Sequence, residues 1–151
     1  MPNLATSPNI ELTGISCISA SACVSVGNGS IGVITALWNG SRWTVESAPN
    51  TNSNYDLDDI SCVPGGSCYS VGNYLNISTG YDWPAAEAWN GSSWTSQQVT
   101  DPPGSNDTYL EGVSCGSATS CLAVGDYTAP GFTTLSESGP GTNWTMGSPV
   151  N

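Results

Sequence analysis

Six cysteines carry the clearest chemistry in this chain of 151 residues. They fall into three pairs at one fixed spacing, Cys17/Cys23, Cys62/Cys68 and Cys115/Cys121. Six cysteines allow about fifteen pairings, and the equal spacing favours the one in which each pair closes its own disulfide. Zinc is the alternative, but its ligands usually follow a C-x₂₋₄-C spacing, and the chain has no histidine. Local disulfides would stabilise the fold by about 2 kcal/mol each. They imply an oxidising compartment, which is the outside of the cell, a periplasm or a cell surface, and we predict an extracellular or cell-surface location.

The other reactive side chains are scarce. The chain has no histidine and a single basic residue, Arg42, against twelve Asp and Glu, which gives a net charge of −11. With the cysteines in disulfides, the usual pairs of nucleophile and base cannot be built, so we predict a protein that is not an enzyme. Nucleic-acid binding needs many Lys or Arg, and no stretch is apolar enough to insert into a membrane. We therefore expect neither nucleic-acid binding nor insertion into a membrane.

Acidic residues concentrate where the second repeat begins. Asp56, Asp58 and Asp59 form a dense group of carboxylates, the hard oxygen ligands that calcium prefers. The glycine and ligand spacing of an EF-hand is absent. Calcium is therefore the only cofactor that the sequence suggests, and solvated acidic loops are the alternative reading.

Aromatic and acidic residues share the longest connection, which spans residues 73–84. Tyr74, Tyr81 and Trp83 are candidates to stack on the apolar faces of a sugar, and Asp82 and Glu87 to accept hydrogen bonds from its hydroxyls. Tyr127 lies in the corresponding connection of the third repeat and completes the predicted ligand-binding set. Loops that vary on a rigid frame are where binding usually resides.

These residues are positioned by a unit that occurs three times. Its first segment reads LTGISC from Leu12, LDDISC from Leu57 and LEGVSC from Leu110, each followed by the second cysteine and a short apolar run. Helical periodicity is absent, and the β-branched runs predict four antiparallel strands per unit. Asn39-Gly40 and Asn90-Gly91 predict hairpins with type I′ turns. The disulfides and these turns would lie at one end, and the variable loops at the other.

Six N-x-S/T sequons are spread over the chain. They begin at Asn28, Asn39, Asn76, Asn90, Asn106 and Asn143. In an organism that glycosylates secreted proteins these asparagines would be acceptors. Three of them recur in the hairpin after the third strand, where the turn itself favours asparagine.

The repeated motifs resemble those of a repeat family found in secreted and surface proteins of actinobacteria. The pattern is I/V-S-C-x₅-C-x-x-V-G followed by W-N-G-S-x-W-T, carried by Ile15–Gly27 with Trp38–Thr44 and by Ile60–Gly72 with Trp89–Thr95. The third unit keeps the cysteine motif and Trp144 but lacks the first tryptophan. The resemblance implies β-propeller blades, one four-stranded blade per repeat, and says little about function.

A weaker resemblance is to the blades of fucose-binding propeller lectins, which carry a W-D/N-G-x-x-W hairpin preceded by Glu. By sequence only the second unit has that acid, Glu87, while the first has Ala36. The arginine with which those lectins hold sugar is missing, since Arg42 lies in the turn. The resemblance therefore does not extend to a fucose site of that type.

The sequence predicts an all-β protein with one repeat domain over residues 1–151, in units of about 10–50, 55–101 and 108–149. Propellers close with about four to eight blades, so three would leave two apolar faces open. The predicted partner is a second copy, closing a ring of six blades or extending as a filament. Closure of the three units as a β-trefoil or β-prism is the alternative.

The predicted function is a non-catalytic extracellular binding module for carbohydrate or a surface polymer. A structural subunit of an extracellular filament or surface layer is the alternative.

Overall fold

The computed structural model describes residues 10–30, 32–46, 54–139 and 143–147. Over these ranges the chain forms twelve β-strands and no helix, as short β-branched and aromatic runs broken by Gly, Pro and Asn predict. The first unit contains β1 (Ile10–Ser19), β2 (Ala22–Gly29), β3 (Gly32–Trp38) and β4 (Trp43–Glu46). The second contains β5 (Tyr55–Cys62), β6 (Cys68–Asn76), β7 (Tyr81–Trp89) and β8 (Trp94–Val99). The third contains β9 (Thr108–Ser117), β10 (Ser120–Thr128), β11 (Phe132–Gly139) and β12 (Asn143–Met146).

Within each unit the four strands pair antiparallel in chain order, which confirms the predicted up-and-down arrangement. The predicted ends of the first and third units, residues 47–50 and 148–149, lie outside the described residues. No helix able to cross a bilayer occurs in the described ranges.

The prediction of three separate four-stranded blades is wrong in its arrangement. The first unit is a four-stranded sheet, but the second and third share an eight-stranded sheet in which β8 and β12 pair in parallel. Asn143 lies opposite Gln98, and Trp144 opposite Val99. An edge strand exposes unpaired backbone N–H and C=O groups. The outer strands β8 and β12 pair with each other and so satisfy some of these groups. Because β9 also contacts β5, this mixed sheet is nearly closed.

All three predicted disulfides form, and the chain has no free cysteine. In each unit the two cysteines face each other across the first two strands, with Cα atoms 3.9, 3.9 and 4.0 Å apart. Three disulfides favour an oxidising, non-cytoplasmic compartment. They lie together at one end of the molecule, because every unit closes its first hairpin in the same way.

The Asn-Gly hairpins differ from the predicted type I′ turns. Trp38 pairs with Trp43, so the loop contains four residues rather than two. The side-chain oxygen of Asn39 accepts hydrogen bonds from the backbone N–H groups of Ser41 and Arg42, at 3.1 and 3.0 Å. Asn90 does the same in the second unit. The asparagine is therefore selected for its side-chain oxygen, as in an Asx turn, while the glycine supplies the positive φ.

Successive units meet through one recurring junction. The hydroxyl of Ser16 accepts a hydrogen bond from the backbone N–H of Cys62 at 2.9 Å, and that of Ser61 from Cys115 at 3.0 Å. The serine of the S-C motif thus connects each unit to the cysteine of the next one. Asp59 adds a further contact, since its carboxylate accepts from the backbone of Val113 at 2.9 Å.

Two hydrophobic clusters fill the spaces between the units. The cluster between the first and second units contains Val24, Val26, Val33, Leu57, Ile60, Cys68, Trp89 and Trp94. The cluster between the second and third contains Tyr69, Val71, Ala86, Leu110, Val113, Cys121, Ala123, Leu135 and Trp144. The core is therefore divided into layers, each built from the facing surfaces of two successive units.

The glycine that ends each V-G motif is required by close packing. A Cβ on Gly72 would overlap the carbonyl oxygen of Asp56 on the neighbouring strand. Gly27 and Gly125 meet the carbonyls of Glu11 and Tyr109 in the same way. Each of these contacts lies beside the β-bulge in the first strand of its unit, which explains why the motif carries glycine at this point.

Candidate functional site

Three aromatic side chains cluster at the end of the second unit that lies opposite the disulfides. Tyr55 and Tyr74 stack with ring centroids 5.0 Å apart and planes 7° from parallel, and Trp83 meets Tyr74 edge-on at 6.2 Å. Strands β5, β6 and β7 position them in adjacent register. Tyr81 precedes Trp83 by two residues, so it shares their face, and 42 % of its surface is exposed. We call these four residues the aromatic cluster.

The predicted stacking residues Tyr74, Tyr81 and Trp83 are therefore brought together, but they lie on strands. Because β6 extends to Asn76 and β7 begins at Tyr81, the connection is residues 77–80, and the prediction of a loop over residues 73–84 is wrong. Tyr55 was absent from the predicted set, although its position as the first residue of β5 places it opposite Tyr74. Burial, with smaller contributions from the nearby Glu87 and Tyr74, raises the pKa of Tyr55 to about 12. Its hydroxyl remains protonated and can donate a hydrogen bond across the neutral pH range.

Asp82 lies on the opposite face of the sheet from the aromatic cluster. Neighbouring residues of a strand point to opposite faces, so Asp82 turns away from Trp83 and towards the third unit. Its carboxylate accepts a hydrogen bond from the Tyr109 hydroxyl at 3.0 Å, and its backbone N–H donates to Asp107 at 3.1 Å. Burial, followed by this hydrogen bond, raises the pKa of Tyr109 to about 12. Asp82 thus joins two units and does not sit beside the stacking residues.

Glu87 is also removed from the predicted ligand set. It shares a face with Trp83, but it is 1 % exposed, and its Oε1 accepts a hydrogen bond from Ser96 at 2.9 Å. The carboxylate is covered by the packing between the first and second units, so a ligand hydroxyl has no access to it. Its role is corrected from ligand contact to buried structural acid.

Glu137 is a second buried acid, so the prediction that only the second unit has an acid at this position is wrong. It pairs with Ala123 as Glu87 pairs with Ser70, so the two glutamates are equivalent. Glu87 lies seven residues before Trp94, and Glu137 lies seven residues before Trp144, so this equivalence can be found from the sequence. Glu137 is fully buried, and neither carboxylate oxygen has a hydrogen-bond partner in the described part of the chain. Burial raises its pKa to about 7.

Tyr127 occupies a different layer of the molecule. It lies on β10, half-buried against the cluster between the second and third units, and lines a small pocket with Leu135 and Met146. The aromatic cluster faces the first unit, so the second unit's sheet separates it from Tyr127. The predicted ligand set is therefore split between two layers.

The three candidate calcium ligands do not converge. Asp59 is engaged with the backbone of Val113, and the described residues contain no group of three or more His, Cys, Asp or Glu side chains that could hold a metal ion. Burial, followed by the charges of Asp56, Glu111 and Asp59, raises the pKa of Asp58 to about 6. Calcium therefore finds no support in the geometry of β5.

Four of the six sequon asparagines use their side-chain oxygens as acceptors. Asn39, Asn76 and Asn90 hold turns, and Asn28 accepts from the backbone N–H of Leu57 in the next unit at 2.8 Å. Asn106 and Asn143 are exposed. The recurrence of asparagine at the hairpins thus has a structural reason that is independent of glycosylation.

Equivalent apolar positions differ sharply in exposure along the molecule. The front face of a unit is the face that packs on the next unit. On this face of the first unit, Val24 and Val26 are 8 % and 0 % exposed. Their equivalents in the third unit, Leu122 and Val124, are 61 % and 56 % exposed. The back face shows the reverse order. There Ile60 is 3 % exposed, and its equivalent in the first unit, Ile15, is 59 % exposed. Ile15 lines an open groove with Leu12 and Trp43. The first and third units therefore each present one uncovered apolar face.

Comparison with known proteins gives a structural answer only. Neither a protein-family model nor a curated protein matches this sequence. A solved structure described as "YCF48 bound to D1 peptide" is similar over 93 % of this chain, with a TM-score of 0.52 and 12 % sequence identity. The fold is propeller-like. The match covers 55 % of that chain, so this chain spans about half the length of its structural neighbour.

The propeller-like neighbour agrees with the stacking of up-and-down units and favours it over the β-trefoil and β-prism alternatives. At 12 % identity the similarity describes architecture alone. The D1 peptide named in that description is bound by that protein, and it implies no ligand for this chain.

Proposed function

We propose that this chain is a non-catalytic binding module of an extracellular or cell-surface protein, and that its ligand is a carbohydrate held by the aromatic cluster. The observation that supports this is the convergence of Tyr55, Tyr74, Tyr81 and Trp83 on one face at the variable-loop end. Aromatic rings present apolar faces with polar edges, which suits the alternating apolar and hydroxyl surfaces of a sugar.

The test is binding to a glycan array, followed by titration calorimetry with each ligand found. Trp83→Ala removes the edge-on ring, and Tyr81→Ala removes the most exposed member of the cluster with little risk to folding. We expect each substitution to weaken binding at least tenfold, about 1.4 kcal/mol. Phe132→Ala is the matched control, because Phe132 begins β11 as Tyr81 begins β7 and is 84 % exposed. Unchanged binding by both cluster variants would refute this site.

A second candidate function, a subunit of a self-assembling extracellular structure, is favoured by the two uncovered faces. Front and back faces bury each other at both internal junctions, and the free front face of the third unit has the chemistry of the buried ones. We therefore propose that a second copy packs its first unit on the third unit of the first copy. Ser114, the equivalent of Ser16 and Ser61, would then accept a hydrogen bond from the backbone of Cys17 in the second copy.

Sedimentation velocity tests this head-to-tail contact. Leu122→Asp and Ile15→Asp each place a charge on one uncovered face, and both side chains are more than half exposed, so the monomer tolerates them. Ile77→Asp, at an 80 % exposed loop position, is the control. We expect the wild type and the control to form dimers or longer oligomers and each face variant to be a monomer.

A mixture of the two face variants gives the sharpest result. A head-to-tail contact joins unlike faces, so the intact front face of Ile15→Asp can still bind the intact back face of Leu122→Asp. The mixture should therefore form dimers although neither variant does so alone. A monomeric wild type, or a mixture without dimers, would refute the proposal without bearing on the aromatic cluster.

A further inference from the structure

An apolar cleft of about 230 Å³ opens between the first and second units at the disulfide end. It lies outside the aromatic cluster and away from the uncovered faces. Its wall is formed by Val24, Trp38, Trp89 and the Cys62–Cys68 hairpin, where Gly66 lines it. The cleft therefore belongs to the junction itself.

The equivalent junction between the second and third units contains a side chain at this place. Tyr69 is the residue of the second unit that is equivalent to Val24. Val24 lies opposite Ser16 and Leu37 on the neighbouring strands. Tyr69 lies opposite the equivalent residues Ser61 and Ala88. Tyr69 is 7 % exposed and belongs to the cluster that joins the two units.

The Tyr69 ring spans the junction from the second unit to the third. Its hydroxyl donates a hydrogen bond to the backbone carbonyl of Ala118, at 2.7 Å, in the hairpin between Cys115 and Cys121. The corresponding hairpin of the second unit, between Cys62 and Cys68, borders the cleft. One junction thus holds a phenol ring between two units, and the other has valine and a cleft in the same register.

The size and lining of the cleft fit such a ring. A cavity of about 150 Å³ lined by apolar side chains is enough for benzene. Trp38, Trp89 and Val24 supply apolar lining, and Gly66, which has no side chain, brings the backbone of the Cys62–Cys68 hairpin to the cleft. This distribution matches a molecule with an apolar ring and one hydroxyl group.

We propose that the cleft between the first and second units is a binding site for a small phenolic molecule. The ring takes the place that Tyr69 occupies in the next junction, and the hydroxyl points to the Cys62–Cys68 hairpin. This goes beyond the carbohydrate site, because it involves another end of the molecule and another class of ligand.

The probe is 4-methylphenol, the side chain of tyrosine as a free molecule, titrated into the intact protein and followed by ¹H–¹⁵N NMR. We expect a saturable shift of the Trp38 and Trp89 indole resonances with one site and a Kd on the order of 1 mM, the range for a ligand of this size. The Trp144 indole, which is 2 % exposed in the third unit, is the internal control and should not shift.

Two substitutions give each junction the residue that the other junction has at the equivalent position. Val24→Tyr fills the cleft from within and should weaken binding by about tenfold or more, whereas Val45→Tyr adds the same side chain at a 53 % exposed position and should leave binding unchanged. Tyr69→Val opens the second junction and should raise the number of sites from one to two.

The proposal fails if the Trp38 and Trp89 resonances show no saturable shift up to the solubility limit of 4-methylphenol. It also fails if Val24→Tyr binds as the wild type does. A Tyr69→Val protein with a single site would also overturn the proposal, because Tyr69 would then not fill a space equivalent to the cleft. The wild-type titration and Tyr69→Val decide the question even if Val24→Tyr does not fold.

Discussion

Replacing Glu137 by glutamine should remove a large part of the pH dependence of stability. Glu137 is fully buried between Ala123 and Met146, and neither of its carboxylate oxygens has a partner in the described ranges. Its equivalent Glu87 accepts a hydrogen bond from Ser96. Met146 holds the position of Ser96 in the third unit and has no hydroxyl, so the buried acid of that unit lacks this donor.

The sign and size follow from the pKa. Burial raises the pKa of Glu137 from 4.5 to about 7, so the folded protein binds a proton that the unfolded chain releases above about pH 4.5. The contribution of Glu137 to the free energy of unfolding is therefore fully retained below pH 4.5. It falls as the pH rises from 4.5 through about 7 and is lost above that pH. At about 1.4 kcal/mol per pKa unit, the loss above pH 7 is about 3 kcal/mol. A glutamine side chain at this position carries no charge at any pH and should avoid this loss.

The assay is urea denaturation of the wild type and Glu137→Gln at pH 4 and pH 9. We expect similar free energies of unfolding at pH 4 and a variant more stable by about 2 to 3 kcal/mol at pH 9. Met146→Ser, which restores the hydroxyl found in the second unit, should also stabilise the protein at pH 9. A variant with the same pH dependence as the wild type would refute the assignment of this titration to Glu137.

Three further predictions concern the frame. Replacing Cys115 and Cys121 together by Ser should lower the free energy of unfolding by about 2 kcal/mol, the value for a seven-residue loop, and equal stability would contradict it. Gly72→Ala should destabilise the protein severely because its Cβ overlaps a backbone carbonyl, whereas Gly116→Ala, with open space around it, should melt near the wild-type temperature. Asp58→Asn should stabilise the protein above pH 6 but not at pH 3, since burial and neighbouring acids raise the pKa of Asp58 to about 6; a constant difference between these pH values would exclude Asp58 as the cause.

Local features of the fold were predictable from the sequence because each depends on a short segment. The cysteine spacing predicts three hairpin disulfides, and alternation within runs such as Cys68–Asn76 predicts the strands. The parallel pairing of β8 with β12 was not predictable. It involves two short outer strands far apart in the chain, and no local pattern records which free edges will meet.

The candidate site was predictable only in part for a related reason. Composition located the aromatic residues of the second unit, but it could not assign each one to a face. Counting along β7 places Trp83 and Asp82 on opposite sides of the sheet, and this requires the strand's start and register. The burial of Glu87 depends on the first unit packing over it, which is a contact between units.

The shared sheet has a mechanical consequence. The second and third units are joined by backbone hydrogen bonds between β8 and β12 as well as by their cluster, whereas the first unit is a separate sheet attached through side chains. Under tension along the chain, we expect the first unit to detach before the others and the remaining two to unfold together. The junction between the first and second units is therefore expected to be mechanically weaker than the junction between the second and third.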